Sequence, residues 1–297
     1  MYPRPFHYHR AGSLEEAVSM LSSLGAEARL LAGGQSLIPL MKLRLAAPQH
    51  LVDLNFAPGL SYIDFSGSQL RLGAMTRHAE LELSPDARRI PILHDCAAGI
   101  ADPQVRNRGT LGGSLAEADP TGDWAPVLLA LGAEVVCLGP QGQRLLSVAS
   151  FIQDAFTTAL TPAELVREII VKTPPKQSGG AYLAFKACAP VYAAASAAVQ
   201  LTLEEGVCAA AGIFLGAVGL IPVHAQDAEA ALSGKPVNQK SIAAAAEAAA
   251  AACDPPADLR GSRDFKRTLV RALVARALDA AHRRARGESV EVSHLYA

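Results

Sequence analysis

The sequence predicts an α+β protein that is divided into two domains. A chain of 297 residues can bury a sizeable core and commonly splits in two. Its first part alternates strand-like and helix-like segments around a pair of glycines, and its last third has three strand-like runs followed by two helical ones. Strands grouped before helices in this way are typical of α+β folds.

Composition and charge exclude several classes of protein. Half of the residues are hydrophobic and the formal net charge is −1, so the chain is neither disordered nor a polycation for nucleic acid. The longest apolar run, 209–223, is interrupted by glycines and a proline and is too short to span a bilayer. The N-terminus lacks the apolar stretch of a secretory signal. We therefore expect a soluble cytoplasmic protein with no membrane span.

Residue types that bind metals are present without the spacing of a metal site. The five cysteines are odd in number, far apart and never arranged as C-x-x-C. The eight histidines include no H-x-x-x-H pair. We expect free, mostly buried thiols and no metal ligands on this chain.

The N-terminal segment predicts a β-α-β-like unit around Gly33-Gly34. Ser13-Leu14-Glu15-Glu16 has the form of a capping box that begins a helix, and Gly25 is a suitable residue to end it. Strands are predicted at 29–32 and 50–54, with a short helix within 37–45. Further along, a strand is predicted at 69–73 and a helix near 91–100.

A stretch with the composition of a linker, 173–180, marks the predicted domain boundary. The first domain would cover 1–175, with subdomains of about 1–55 and 56–175, and the second would cover 176–297. The second domain is predicted to be a three-stranded antiparallel sheet with helices. Its predicted strands are 181–187, 193–203 and 207–218, and its predicted helices are 241–252 and 265–286.

Three arginines, Arg283, Arg284 and Arg286, lie at the end of the last predicted helix. Cations there are favoured by the negative end of the helix dipole. Because runs of charge are usually solvated faces, we interpret them as capping and solvation, not as a patch that binds nucleic acid.

Two paired-glycine turns carry the candidate binding chemistry. In 30–37 a hydrophobic strand runs into Gly33-Gly34 and a helix start, and in 110–114 the second pair is flanked by Thr110 and Ser114. Glycine lets the backbone approach a ligand closely, and successive N–H groups at a helix start favour phosphate. One such turn alone is often only a turn, and neither is a dinucleotide fingerprint or a P-loop. Two in one domain indicate a pyrophosphate site.

Asp123 has two compatible interpretations. It precedes an apolar helical run that begins at Trp124, so it can cap that helix. A carboxylate beside a nucleotide can also accept hydrogen bonds from ribose hydroxyls. Asp119, which precedes Pro120, is interpreted as a turn residue.

At these residues the sequence resembles the FAD-binding medium subunit of the xanthine dehydrogenase and aerobic carbon monoxide dehydrogenase family, the molybdenum hydroxylases. Residues 32–36 match the family's AGG-[HQ]-S turn, and 110–123 match T-[IL]-GG-[NS]…ADP…D. The resemblance extends along essentially the whole chain. It implies a two-part FAD-binding domain of the vanillyl-oxidase (PCMH) type followed by the smaller domain.

The resemblance also implies which residues bind a non-covalent FAD. The two turns would wrap the pyrophosphate and ribityl chain, Asp123 would reach the nucleotide, and Lys186 would lie near the flavin ring and tune its potential. On the residues alone, Lys186 is interpreted as a solvated strand charge, and Tyr192 could equally be a core tyrosine. The implied set is Leu30, Leu31, Ala32, Gly33, Gly34, Gln35, Ser36, Leu37, Ile100, Ala101, Thr110, Leu111, Gly112, Gly113, Ser114, Asp123, Leu165, Val166, Lys186 and Tyr192.

The function implied by the resemblance is electron transfer, which needs no catalytic acid or base on this chain. A large molybdopterin subunit would oxidise the substrate, a small [2Fe–2S] subunit would conduct electrons, and FAD on this chain would pass them to NAD, quinone or oxygen, within a dimer of heterotrimers. Two departures leave flavin reactivity open: Glu117 replaces a frequent histidine, and 187–190 lacks the arginines of many relatives. The alternatives are a stand-alone flavin oxidoreductase of the same fold and a non-catalytic scaffold.

Overall fold

The computed structural model describes residues 2–188, 191–293 and 295–296, and three larger sheets follow one another along this part of the chain. The first is a parallel sheet of three strands in which the last strand along the chain is central. Its elements are β1 (His7–Arg10), α1 (Leu14–Leu24), a 3-10 turn (Gly25–Glu27), β2 (Ala28–Leu31), α2 (Leu37–Lys42) and β3 (His50–Asp53). The predicted β-α-β-like unit is confirmed.

Helix α1 shows how local sequence sets this unit. The Ser13 hydroxyl accepts a hydrogen bond from the Glu16 amide at 3.1 Å, as predicted. The Glu16 carboxylate instead accepts from the Gly12 amide at 2.7 Å, one residue beyond the position that a capping box requires. Gly25 ends the helix with a positive φ of 61°, a conformation that glycine adopts without strain.

The second sheet is antiparallel, with the strand order β4-β5-β10-β6-β7. Helices inserted between β5 and β6 carry much of the core, including the fully buried Trp124. The elements are β4 (Ile63–Phe65), β5 (Gln69–Gly73), α3 (His78–Leu83), α4 (Pro85–Arg88), α5 (Pro91–Gly99), α6 (Pro103–Arg106), α7 (Leu111–Glu117), α8 (Trp124–Ala130), β6 (Glu134–Gly139), β7 (Gly142–Ser147), α9 (Val148–Phe151), β8 (Ile152–Asp154), β9 (Thr157–Thr158) and β10 (Leu165–Lys172).

The third sheet has five strands among the described residues, where three were predicted. Its three long strands are antiparallel as expected, but a two-residue strand is added at each edge, and the last of these runs parallel to its neighbour. The order is β14-β13-β12-β11-β15. The elements are β11 (Ser178–Lys186), β12 (Ala195–Glu204), β13 (Val207–Gly216), β14 (Val223–His224), α10 (Gln226–Leu232), α11 (Gln239–Ala252), α12 (Arg263–Ala285) and β15 (Leu295–Tyr296).

Both faces of this third sheet are covered. One face packs against α10 and α12, and the other packs against α5 and α8 from the preceding part of the chain. Tyr182 and Ala198 therefore belong to the core of the second sheet, whereas Ala181 and Val199 belong to the core beneath α12. Burial on both faces explains why these strands read as almost continuous apolar runs.

A buried ion pair connects α12, on one face of the third sheet, with α5 on the other face. Arg284, at the end of α12, donates to both carboxylate oxygens of Asp95 on α5 at 2.6 and 3.0 Å and to the Gly180 carbonyl at 2.7 Å. The Arg284 side chain is only 8 % exposed and that of Asp95 only 2 %. Interpreting Arg284 as a solvated charge was therefore wrong, because its carboxylate partner lies 189 residues away. Arg283 is exposed and pairs with Glu288, as expected of a surface residue.

No helix in the described part of the chain is both long and apolar enough to cross a membrane. Among the same residues, no group of three or more His, Cys, Asp or Glu side chains could hold a metal ion. Four cysteines are buried, Cys188 is exposed, and none of the five forms a disulfide.

Replacing Arg284 by alanine is expected to destabilise the fold by about 3 kcal/mol, because it leaves the buried Asp95 carboxylate without its cation. Urea unfolding followed by circular dichroism measures the change. Arg283→Ala is the matched control, one residue earlier on the exposed face, and should leave the midpoint unchanged. Equal effects of the two substitutions would contradict the role assigned to the Asp95–Arg284 pair.

Candidate cofactor-binding cleft

A cleft of about 420 Å³ lies where the parallel unit, the helices of the second sheet and the end of β11 meet. Fifteen of the twenty predicted site residues line it, although they come from five separate segments of the chain. They are Leu30, Ala32, Gly33, Gly34, Gln35, Ser36, Leu37, Ile100, Ala101, Thr110, Gly113, Ser114, Asp123, Lys186 and Tyr192.

The other five predicted residues do not line the cleft. Leu31 follows Leu30 on strand β2, and successive side chains of a strand point to opposite faces. Leu111 is fully buried in the core of the second sheet. Leu165 and Val166 lie on β10 inside two hydrophobic cores. Gly112, the fifth of these residues, packs against Ala74.

The first glycine turn provides unpaired backbone donors. Gly34 has a φ of +72°, which reverses the chain between β2 and α2. In the described part of the chain, the backbone N–H groups of Gly33, Gly34, Gln35 and Ser36 have no hydrogen-bond acceptor. Because all four residues line the cleft, the turn and the start of α2 can offer these donors to an anion.

The second glycine turn has a different role, because its amides are already used. The Thr110 hydroxyl caps α7 by accepting from the Gly113 amide at 3.2 Å, and the Thr110 carbonyl accepts from Ser114. The Gly112 amide donates to the Ala74 carbonyl at 2.8 Å, and a Cβ on Gly112 would lie 2.5 Å from the Ala74 Cβ. This glycine pair permits close packing and does not supply free N–H groups.

The two turns touch each other. A Cβ on Gly33 would lie 2.3 Å from the Arg108 carbonyl oxygen and 2.8 Å from the Cα of Gly109. No real Cβ approaches backbone so closely, so only glycine fits at position 33. The contact holds the unpaired amides of the first turn against the segment that leads into the second.

Asp123 and Lys186 form a buried pair at one end of the cleft. Lys186 Nζ donates to the Gly99 carbonyl at 2.7 Å and lies 3.3 Å from the Asp123 carboxylate, which also accepts from the Tyr182 hydroxyl at 2.5 Å. Burial, followed by the charge of Asp123, raises the pKa of Tyr182 well above its usual range, so this phenol stays a donor.

These contacts correct two interpretations. Lys186 is 2 % exposed, which excludes a solvated strand charge. The Asp123 side chain does not cap α8, because Tyr182 and Lys186 occupy its oxygens. Since the carboxylate lies beside the ammonium group, Lys186 presents one end of a dipole to the cleft and not an isolated positive charge.

Tyr192 lies at the mouth of the cleft and is 46 % exposed, which excludes the core-tyrosine alternative. The Arg260 guanidinium lies 5.9 Å from its ring centroid.

The segment without the expected arginines includes Ala189 and Pro190, which lie outside the described residues. Asp119 is the turn residue that was predicted: its carboxylate accepts from the Thr121 amide at 2.8 Å.

Sequence reasoning missed several residues of the cleft. Val105 lies on α6, Gly109 lies in the loop that contacts Gly33, and Glu117 follows the second turn on α7. Burial, followed by the charge of Asp119, raises the pKa of Glu117. His78 had no signal at all, because its neighbours in the structure lie more than thirty residues away along the chain.

His78 is the buried histidine of the site. Its Nδ1 accepts a hydrogen bond from the indole Nε1 of Trp124 at 3.1 Å. Burial, with smaller contributions from Arg106 and Arg77, lowers its pKa to about 4. The imidazole is therefore neutral at pH 7.

Comparison with known proteins identifies the class to which this fold and cleft belong. Residues 4–174 match the FAD binding domain in molybdopterin dehydrogenase, and residues 180–281 match the CO dehydrogenase flavoprotein C-terminal domain. The chain belongs to this family of FAD-binding subunits, which confirms the resemblance drawn from the two glycine turns.

Individual relatives support the family assignment, because each matches this chain over nearly its full length. The chain is 39 % identical to the carbon monoxide dehydrogenase medium chain of Afipia carboxidovorans, over 96 % of this chain and 100 % of the relative. It is also 39 % identical to the 6-hydroxypseudooxynicotine dehydrogenase complex subunit alpha of Paenarthrobacter nicotinovorans, over 99 % and 100 %. A solved carbon monoxide dehydrogenase from Hydrogenophaga pseudoflava superposes with a TM-score of 0.92 at 42 % identity, covering 96 % of this chain and 99 % of that one.

The buried His78 predicts how stability depends on pH. Below about pH 6.5 the unfolded chain gains a proton at this residue, whereas the folded chain gains it only near pH 4. The free energy of unfolding should therefore fall as the pH drops through this window, by about 3 kcal/mol from this group. Urea unfolding at pH 7, 5.5 and 4.5 should show a shallower fall for His78→Gln. Parallel curves for the two proteins would contradict this assignment.

Proposed function

We propose that this chain is the FAD-binding electron-transfer subunit of a molybdenum hydroxylase complex. It would take electrons from the [2Fe–2S] clusters of a partner subunit and deliver them through FAD to an external acceptor. The observation that carries the proposal is the row of unpaired amides from Gly33 to Ser36, on the wall of a cleft in a chain of this family.

The residues of the cleft fit FAD. The four amides suit an anionic pyrophosphate, and the absence of a side chain at Gly33 lets their turn pack directly on Arg108 and Gly109. The Ser114 hydroxyl lines the same wall and has no partner among the described residues. Asp123 offers carboxylate oxygens, Lys186 an ammonium group, and Tyr192 an aromatic face at the mouth.

Bound FAD would accept electrons singly from iron–sulfur centres and release them in pairs, which is the chemistry needed at this junction. The residues of the chain hold and orient the cofactor and set its surroundings. The positive charge of Lys186 is compensated by the carboxylate of Asp123, so the electric field that the lysine exerts in the cleft is reduced. Removing the carboxylate would expose the full lysine charge to the cleft.

The stand-alone flavin oxidoreductase is less well supported. Covalent attachment of FAD in that fold class often uses His or Cys. Among the described residues that line the cleft there is no cysteine, and the one histidine, His78, is held between Trp124 and Gly109. We therefore propose that FAD is held without a covalent bond.

The proposed assembly follows the names of the relatives, which are a complex subunit and a medium chain. We propose a small [2Fe–2S] subunit and a large molybdopterin subunit as partners, arranged as a dimer of heterotrimers in the cytoplasm. We also propose the vanillyl-oxidase (PCMH) type for the two-part domain 1–175 and a boundary before residue 176. The matched ranges 4–174 and 180–281 support that boundary.

Co-expression with the neighbouring genes tests the whole proposal. The purified complex should contain FAD, [2Fe–2S] clusters and molybdenum, and reduction of the clusters should be followed by bleaching of the flavin absorption band. A folded chain that purifies colourless and alone would overturn the electron-transfer function.

Replacing Gly33 by valine is expected to abolish FAD retention, because the side chain would overlap the Arg108 carbonyl and force the two turns apart. Flavin released by denaturation measures occupancy, which should fall to below about a tenth, consistent with an overpacking cost of about 1–3 kcal/mol. Gly12→Val is the matched control in the same unit, since a Cβ there approaches only the flexible Glu16 carboxylate. Circular dichroism should show both variants folded. Unchanged occupancy in Gly33→Val would contradict the phosphate-binding role of the turn.

A further inference from the structure

His78 is held in one orientation by residues from two other elements. It is the first residue of α3, only 4 % of it is exposed, and its backbone amide donates to the Gly109 carbonyl at 3.1 Å. Its ring packs against Gly109 so closely that a Cβ there would lie 2.7 Å from Nε2. On the opposite side, Trp124 donates to Nδ1. The ring therefore has little freedom to rotate.

Trp124 also fixes the position of the imidazole proton. An indole N–H can only donate, so Nδ1 of His78 must accept and carries no hydrogen. Because the ring is neutral, its single proton is on Nε2. The structure thus presents one N–H donor at a defined atom.

That donor has no partner among the described residues. No acceptor there bonds to Nε2 of His78, although only 4 % of the residue is exposed. Nε2 is not one of the fully enclosed polar atoms that lack a partner, so this nitrogen keeps access to the cleft. His78 lines the cleft beside Gly109 and Thr110. An oxygen atom of whatever occupies the cleft can therefore accept this hydrogen bond.

We propose that Nε2–H of His78 is a positioning hydrogen-bond donor to an oxygen of the bound FAD. The inference rests on the proposal that this cleft holds FAD. Gly109 touches both His78 and Gly33, so the imidazole donor lies near the unpaired amides of the first glycine turn. Phosphate and ribityl oxygens are the acceptors that FAD offers to such a donor. Locked by Trp124, His78 would add one directional contact without adding a charge.

Two variants test the two nitrogen atoms of the His78 ring separately. In His78→Asn the side-chain oxygen can replace Nδ1 as the acceptor for Trp124, while the donor on the cleft side is lost. In His78→Gln the longer amide can place an N–H near the position of Nε2. The full chain, stripped of flavin, is titrated with FAD and separately with ADP, and thermal unfolding reports whether each variant is folded.

The expected result is that His78→Asn binds FAD about tenfold more weakly, the loss of one hydrogen bond, while His78→Gln stays within about threefold of the unaltered chain. A matching loss for ADP would assign the contact to phosphate, and a loss confined to FAD would assign it to the ribityl side. FAD affinity equal to that of the unaltered chain in a folded His78→Asn would overturn the inference and leave the proposed function standing. An unaltered chain that binds no FAD would overturn both.

Discussion

The cleft depends on one backbone contact, the close approach of Gly33 to Arg108 and Gly109. It joins the parallel unit to the loop that precedes α7, two parts of the chain that share no sheet. The four unpaired amides come from one side of this contact, and His78 packs against the other. Any side chain at position 33 would separate these donors, because the atoms it meets are backbone and cannot rotate away.

Two buried ion pairs fix the third sheet against the helices beside the cleft. Lys186 and Tyr182 on β11 bind the carboxylate of Asp123 at the start of α8, and Arg284 binds Asp95 on α5. Buried ion pairs add little net stability compared with apolar packing, but breaking one is costly. These pairs therefore fix how the sheet is placed on α5 and α8 more than they strengthen the fold. The position of Lys186 in the cleft follows from this placement.

What the sequence could predict was local. The glycine pairs, the start of α1 and the long strands and helices are set by residues close along the chain, and each was located within a few residues. Other features depend on distant partners. The amides of the second glycine turn donate to the carbonyl groups of Ala74 and Thr76. The buried guanidinium of Arg284 is paired with the carboxylate of Asp95. Two-residue strands such as β14 are too short to show a periodicity.

His78 illustrates the same limit at the site. Its importance depends on Trp124, which is 46 residues away along the chain, and on the neighbouring Gly109. In sequence it is an isolated histidine, which reads as an ordinary core or surface residue. Only the structure shows that one ring nitrogen is satisfied and that the other faces the cleft.

The charges of the cleft explain why directional donors matter here. Lys186 is its one lysine or arginine among the described residues, and Asp123 compensates it, while Glu117 and Asp119 bring further carboxylates to the walls. A pyrophosphate would therefore gain little from net electrostatic attraction. Its recognition has to come from uncharged hydrogen-bond donors, namely the four backbone amides of the first turn and the Ser114 hydroxyl. Such bonds depend on geometry, and the glycine contact is what maintains that geometry.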